Sequence, residues 1–370
     1  YEREDGSMKL AFNKEKLTTA LGIVSRAIPT RTANPILSCI LFDASEDGVT
    51  LIANDSEFGI STKVEGIVSE KGKVALDARL VSDIIRKLEG GEELVNIETD
   101  QNFTTRISCS DVLFTIPGRD GEEFAYLPQI EKEHRLCLTQ FTLKEVIRKT
   151  IFAAALNDSN KMMGGEFVNI KGRVATFVAL DGHRVAVRNV TLREGDETFH
   201  AIIPGKTMNE ISKIMEDDNE KEVELFFSKN HVLFSFEGTM VLSRLIEGEY
   251  FKIEHMLSKD YATKLEINRV KLLSNIDRST ILIKESDHKP IILDIGDQKL
   301  ALKVKSSYGS MDGELPCEKT GKDLLIAFNP KFLMDALRAI DDETVTLYFT
   351  NAKSPCFLRD EHDSFVYLIL

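Results

Sequence analysis

Along this chain the spacing of apolar residues switches from two to three-and-four three times. The segments "MKLAFNKEKLTTALGIVSRAI" from Met8, "LCLTQFTLKEVIRKTIFAAAL" from Leu136 and "TKLEINRVKLLSNIDRSTIL" from Thr263 behave alike. Each opens with a short alternating stretch that predicts a strand, passes a polar residue suited to helix capping, and continues with helical spacing. In the first copy Leu17, Leu21, Val24 and Ile28 line one helical face. In the second, Leu143, Val146, Ile147 and Ile151 do the same.

Two further units recur in the same order. "GVTLIANDSEFGISTKV" from Gly48, "RVATFVALDGHRVAVRNV" from Arg173 and "KLALKVKSSYGSMDGEL" from Lys299 each predict strand, polar turn, strand. "VALDARLVSDIIRKLEGGEE", "AIIPGKTMNEISKIMEDDNE" and "LIAFNPKFLMDALRAIDDET" each predict a strand, a break, a helix and an acidic stop. Leu80, Ile84 and Leu88 are expected on the buried face of one such helix, and Leu333, Ala336, Leu337 and Ile340 on that of another. Each copy is therefore two helices with mostly antiparallel strands, an α+β unit of ordinary domain size. The expected division is 8–130, 131–254 and 255–370. The opening "YEREDGS" reads as an expression remnant covering residues 1–7, with Met8 as the native start.

Composition narrows the class. Of 370 residues 42% are hydrophobic, enough for a core in each copy. No apolar run reaches the roughly 20 residues of a membrane span and no signal peptide opens the chain, so a cytoplasmic protein is expected. Five scattered cysteines without a CxxC pair argue against a zinc site or a disulfide framework.

The formal net charge is −13, which by itself disfavours a nucleic-acid binder. The charge is unevenly spread, however. Predicted helices 13–27, 142–156 and 268–282, the first of each copy, each carry two more basic than acidic residues. Basic helix surfaces are common singly. Their recurrence in all three copies of an acidic protein predicts a shared face toward a polyanion, with phosphate contacts that read no sequence.

Motifs for chemistry are few. "PGKT" at Pro204–Thr207 shares the end of a phosphate-binding loop, but His200 stands where the motif needs its first glycine. It predicts a helix start instead. The acid pairs Asp217–Asp218 and Asp341–Asp342 read as solvated helix stops, with metal binding the lesser alternative. No metal or cofactor is expected. Asp181, Gly182, His183 and Arg184 bring an acid, an imidazole and a guanidinium together in "ALDGHRVAV". As a hydrolytic site they lack a nucleophile. As a polar β-turn they match the turns of the other two copies.

From Met8 to Leu370 the chain resembles the bacterial sliding clamp family, the beta subunits of DNA polymerase III holoenzyme. The resemblance rests on "MKLAFNKEKL", "ANPILSCILF", "VALDGHRVAV", "IIPGKTMNEISKI", "SRLIEGEYFKI", "IAFNPKFLMDAL" and "FVYLIL". It implies three copies of a clamp domain in a crescent, two crescents closing head to tail into a homodimeric ring, helices lining the hole and sheets outside. It implies a non-catalytic processivity factor that encircles duplex DNA, loaded by a separate ATP-driven clamp loader.

It also implies that "LDGHRV" walls a groove taking short peptides, with an apolar end and a Gln, from the polymerase alpha subunit, the clamp loader and other partners. The matching positions are Met162, Met163, Leu180, Gly182, His183, Arg184, Val185, Phe251, His255, Met256, Asn329, Phe332, Pro355, Leu368 and Leu370. His255 and Asn160 stand where some relatives carry Arg, so the polar side of the groove is expected to differ; relatives run a few residues past Leu370, starting with Pro, and the resemblance implies that those residues help wall the groove. Arg31 matches a DNA-contacting position. Helix charge adds Lys14, Arg86, Lys144, Arg148, Lys149, Lys206, Lys213, Lys271, Arg278 and Arg338. The dimer seam is expected to join Ile281 and Leu282 to the strand around Arg106 and Leu113, with core packing the other reading of Ile281 and Leu282. A hydrolase centred on Asp181 and His183, and a monomeric peptide-binding scaffold, are the competing classes.

Overall fold

The computed structural model describes residues 7–91, 93–156, 160–283, 289–360 and 364–370, so most of the expected leader lies outside the described residues. The backbone forms two compact units, one of residues 1–140 with 213–245, the other of 141–212 with 246–370. These units cut through the second repeat. The reason is strand pairing that runs across repeat boundaries within each unit.

In the first unit, a five-stranded antiparallel sheet runs in the order Ile67–Glu70, Met8–Phe12, Val95–Thr99, Thr104–Cys109, Val112–Pro117. A nine-stranded sheet contains Arg119–Asp120, Gly72–Asp77, Cys39–Ser45, Gly48–Asn54 and Phe58–Val64 from the first repeat. It continues with Thr239–Arg244, His231–Phe236, Glu222–Phe227 and His134–Thr139 from the second. The join is antiparallel, with Gly59 opposite Leu242 and the buried hydroxyls of Thr62 and Thr239 2.7 Å apart.

Helices α1 (Lys14–Val24) and α2 (Ala78–Lys87) belong to this unit. Asn13 caps α1 by accepting from Glu15 N and Lys16 N, and Asp77 caps α2 by accepting from Leu80 N at 2.8 Å. The expected face of α2 needs correction. Leu80 is 42% exposed, and Val81, Ile84, Ile85 and Leu88 fill the core. Their spacing makes a continuous stripe from which Leu80, one position earlier, is rotated away.

The second unit holds one twelve-stranded sheet. From one edge it runs Thr198–Pro204, Gly165–Lys171, Val174–Leu180, Arg184–Thr191, then Phe365–Ile369, Cys356–Arg359, Thr344–Phe349 and Thr263–Asn268. It ends with Gly309–Gly321, Lys299–Ser306, Ile291–Ile295 and Leu324–Phe328. Again one repeat joins the next, with Val185 opposite Leu368. Helices α3 (Gln140–Thr150), α4 (Gly205–Ile214), α5 (Arg269–Thr280) and α6 (Pro330–Ala339) belong mainly here. Asn268 and Asn329 cap α5 and α6 through Lys271 N and Lys331 N, each at 3.0 Å.

Strand alternation divides this sheet's buried side chains between two cores. Ala179, Ala186, Phe365, Tyr367 and Ile369 join α5 and α6 in the larger cluster. Their neighbours Val178, Leu180, Val185, Val187, Val366 and Leu368 face the opposite side and form a second cluster. That second cluster is where the candidate site begins.

Candidate partner-binding groove and basic surface

The turn that looked catalytic is an Asp-anchored turn. Asp181 Oδ1 accepts from the backbone of His183 at 3.0 Å and of Arg184 at 3.2 Å. Gly182 sits at φ +85°, a conformation glycine adopts without cost. The guanidinium of Arg184 donates to Asp181 at 2.9 Å and to Asp335 of α6 at 2.7 Å. It lies over the rings of Phe332 and Phe152, and Arg184 is 6% exposed. Its charge is spent inside the fold. His183 is exposed, with its ring 6.1 Å from that of Phe332, and its carbonyl accepts from Leu370 N at 2.9 Å. Among the described residues no serine, threonine or cysteine side chain appears in the hydrogen bonds of Asp181 and His183.

Pairing register aligns a row of side chains on one sheet face: Leu180 opposite Val185, Val185 opposite Leu368, Leu368 opposite Phe357, Phe357 opposite Tyr348. Around this row the structure gathers seven of the expected groove residues into one apolar cluster: Met162, Met163, Leu180, Val185, Phe251, Met256 and Leu368. The methionines lie on a short 3-10 helix, Lys161–Gly164, capped by Asn160 accepting from Met162 N at 3.1 Å. Asn160 thus has a structural task here. Gly248, at φ +138°, leaves room for Met162, whose sulfur stands 2.7 Å from where a Cβ would be.

Sequence reasoning missed the support beneath. Tyr250 stacks on Phe167 at 4.7 Å, meets Phe251 edge-on and reaches the Val178 carbonyl. Ile202, Ile253, Phe357 and Val366 complete the buried floor. The alternation of Val366 and Leu368 against Phe365, Tyr367 and Ile369 carried that information once the register was known.

Other expected groove residues lie outside this cluster. Phe332 packs with the larger core beside Arg184, and Asn329 is engaged as the cap of α6. Gly182, His183, His255 and Leu370 are exposed, and Pro355 is half-buried ahead of the strand Cys356–Arg359.

A buried carboxyl stands behind the strand Gly165–Lys171. Glu166 is wholly buried and bonds to the Thr150 hydroxyl, and its second oxygen has no hydrogen-bond partner. Burial pushes its pKa up to about 8, against the bond from Thr150. "PGKT" opens α4 with Gly205 and Thr207 buried, a packed helix start rather than an open phosphate cradle.

The expected DNA-facing residues differ in exposure and in the contacts they make. Arg31, Lys206, Lys213 and Lys271 are exposed. Lys14 bonds the Leu88 carbonyl at the end of α2, where a cation suits the helix dipole. Arg86 pairs with Asp83, Arg338 with Asp277 at 3.6 Å, and Arg278 donates to Ser274 at 3.0 Å. Lys144 is half-buried. Arg148 donates to the Ala339 carbonyl at 3.0 Å and to Asp341, so that acid is more than a solvated stop. Lys149 is turned inward, its side chain 15% exposed and 2.6 Å from Glu145, which also accepts from Arg188.

At the edge of the five-stranded sheet, Leu113 is 61% exposed beside exposed Arg106. In the second unit Ile281 is 81% exposed, which removes core packing as its role, whereas Leu282 packs against the larger core.

Comparison with known proteins covers nearly all of the chain. Profiles described as the N-terminal, central and C-terminal domains of the DNA polymerase III beta subunit match residues 8–128, 137–252 and 254–370. A Staphylococcus aureus protein named beta sliding clamp is 34% identical over 369 residues, 97% of each chain. A crystal structure from Eubacterium rectale described as a DNA polymerase III beta subunit is 49% identical, covers 98% of both chains and superposes with a TM-score of 0.93. The sliding clamp of Bacillus subtilis, at 29% identity and the same coverage, also gives 0.93.

Proposed function

Because the chain belongs to the DNA polymerase III beta subunit family, the bacterial sliding clamps, we propose specific residues for the three surfaces a clamp needs. The protein is a non-catalytic processivity factor: as a dimeric ring it encircles duplex DNA and tethers the replicative polymerase and other replication proteins. We divide it as 8–130, 131–254 and 255–370 and place its work in the cytoplasm. Among the described residues no helix is long and apolar enough to cross a membrane.

The peptide groove is built on Met162, Met163, Leu180, Val185, Phe251, Met256 and Leu368, with His183 and His255 at its rim. The single observation carrying this assignment is their convergence on one apolar cluster from four separate chain segments. Half-buried methionines suit a groove that accepts many tails, because the thioether adapts to different shapes. Arg184 belongs under the groove, as a brace, rather than in it.

Arg31, Lys144, Lys206, Lys213, Lys271, Arg278 and Arg338 are proposed to meet phosphates. Such contacts hold without reading bases, so a topologically trapped duplex can slide. Lys149 contributes to the fold instead.

The dimer seam follows from the two seams inside the chain. In each, the second strand of one repeat's hairpin pairs with the last strand of the next: Phe58–Val64 with Thr239–Arg244, and Arg184–Thr191 with Phe365–Ile369. In the third repeat the corresponding strand begins at Gly309, and in the first repeat the strand that ends the five-stranded sheet is Val112–Pro117, an edge. Leu282 lies 3.8 Å from the Cβ position of Gly309. The seam therefore joins residues 309–314 of one protomer to Val112–Pro117 of the second, with Ile281 and Leu282 beside it and Arg106 facing Asp312 and Glu314.

The decisive experiment is retention on circular DNA after loading, with release when the DNA is linearised. Retention that survives linearisation without an end block would mean ordinary binding and would overturn the encircling role.

A further inference from the structure

Among the described residues Glu166 is the one buried carboxylic acid, and its place in the chain ties it to the groove. The 3-10 helix Lys161–Gly164 carries Met162 and Met163, and the strand Gly165–Lys171 starts where that helix ends. Two bonds fasten this stretch to the end of α3. Ala155 N donates to the Met163 carbonyl at 2.9 Å, and the Thr150 hydroxyl bonds Glu166. Thr150 is the last residue of α3, and the turn Ile151–Ala153 leads from it toward Ala155. Residues 150–155 and 163–166 are thus held together at both ends. A third contact closes the far side: the Gly164 carbonyl oxygen stands 2.8 Å from where a Cβ on Gly205 would be, and Ile151 Cδ1 3.4 Å from it. The glycine of "PGKT" lets α4 begin against the segment that bears the methionines.

The protonation state of the carboxyl decides whether this clasp holds. Its second oxygen has no hydrogen-bond partner, and the Thr150 hydroxyl also lies 2.7 Å from the Val146 carbonyl. A protonated Glu166 donates to Thr150 and frees that hydroxyl for Val146. An ionised one leaves a charge away from water with too few donors, which is costly. The charges on the elements packed around it are engaged elsewhere or stand apart. Glu145 and Lys149 pair with each other, Glu145 also with Arg188, and Arg148 reaches the Ala339 carbonyl and Asp341. Lys144 is half-buried nearly two turns back along α3, His200 and Lys206 are exposed, and Glu210 is half-buried further along α4. Tyr250 feels Glu166, yet burial first and Glu166 second hold its phenol un-ionised beyond the ordinary tyrosine range.

Taking the groove as assigned above, we propose that protonated Glu166 is a positioning residue of the peptide groove: it clasps the segment bearing Met162 and Met163 to α3, and its ionisation loosens that clasp and weakens the hold on partner tails. Glu166 meets no peptide itself; it acts through the methionines. Leu180, Val185 and Leu368 stand on other strands, so binding weakens without vanishing. With ionisation at about pH 8, one linked proton lowers affinity by up to roughly tenfold between pH 7 and pH 9. Below pH 7 the clasp is whole and Glu166 adds no pH dependence.

The test uses the intact protein with isotope-labelled methionine methyl groups, and a fluorescein-labelled pentapeptide that begins with Gln and ends in Leu-Phe. Anisotropy titrations from pH 7 to pH 9 should show the parent's affinity falling by up to roughly tenfold and that of Glu166→Gln staying flat, because the amide never ionises and still donates to Thr150. His183 and His255 are common to both proteins, so the difference between the profiles reads Glu166. In the free parent the methyl signals of Met162 and Met163 should move over the same pH range, and in Glu166→Gln they should not. Thr150→Val removes the clasp at every pH and should bind at pH 7 as weakly as the parent does at pH 9. Superimposable affinity profiles for parent and Glu166→Gln, fixed Met162 and Met163 signals in the parent, or parent-like binding by Thr150→Val would each overturn the proposal. Failure of the groove itself looks different: no saturable binding at pH 7 by any of these proteins would remove the groove, and the methyl signals would still decide whether Glu166 governs the methionines.

Discussion

Arg184 and Asp335 are joined by a 2.7 Å ion pair that ties the second repeat's turn to a helix of the third. Arg184 also holds Asp181 at 2.9 Å and is nearly excluded from water. Removing one member of such a pair strands a buried charge, at a cost of about 3–5 kcal/mol. Arg184→Met should therefore lower the urea unfolding free energy by that amount, and Arg184→Met with Asp335→Leu should recover part of it. If Arg184→Met unfolds like the parent while peptide affinity collapses, the guanidinium serves the ligand and not the brace.

That pair also marks where the sequence was readable and where it was not. Repetition of strand, cap and helix exposed the α+β class because local spacing records it. Asn13 and Asn268 cap helices where a polar capping residue was expected, whereas Asn329, expected in the groove, caps α6. Leu80 misled, because an i, i+4 reading accepts several overlapping stripes and only packing selects one. The partnership of Arg184 with Asp335 spans 151 positions and leaves no periodic trace. Likewise, Lys149 and Lys271 both look like basic helix positions, and only the nearby Glu145 and Arg188 separate them.

Glu166 makes stability depend on pH. The Thr150 hydroxyl lies 2.7 Å from the Val146 carbonyl and also bonds Glu166, yet it has one proton to give. A protonated Glu166 can donate to Thr150 and satisfy both contacts. Its pKa rises from 4.5 in the unfolded chain to about 8 in the fold. The stabilisation is whole below pH 4.5 and is lost as pH climbs toward 8, by about 1.4 kcal/mol per unit. Glu166→Gln, neutral throughout, should gain on the parent between pH 5 and pH 8 in urea melts. Parallel pH curves for the two proteins would refute a raised Glu166.

Met162 tests the groove. It is half-buried in the apolar cluster and fits against Gly248. Truncation to Ala should cost a partner peptide with an apolar end about 1–2 kcal/mol, roughly five- to thirtyfold in Kd, as buried anchors at interfaces do. Isothermal titration with such a peptide reads the change. Equal affinity for parent and Met162→Ala would move the groove away from the Lys161–Gly164 helix.

Two lysines separate DNA contact from fold support. Lys271 is exposed on α5, whereas Lys149 is paired with Glu145 inside the second unit. Lys271→Ala should weaken DNA binding equally on all sequences and lower the slope of log K against log salt by about one. Lys149→Ala should leave that slope intact and reduce thermal stability. A salt slope that falls for Lys149→Ala and not for Lys271→Ala would reverse the two assignments.

The seam is tested by Ile281. Ile281 is 81% exposed at the end of α5 and Leu113 is 61% exposed on a sheet edge, two apolar side chains that a second copy would cover. Ile281→Glu places a charge where the proposed seam is apolar, and leaves each protomer's own core untouched. Light scattering should then report a monomer at micromolar concentration, with the parent's circular dichroism spectrum and melting of the isolated fold. The same variant should lose retention on circular DNA, because a protomer without its partner cannot close around a duplex, while peptide binding at Met162 persists. A dimer that survives both Ile281→Glu and Leu113→Glu would place the seam elsewhere.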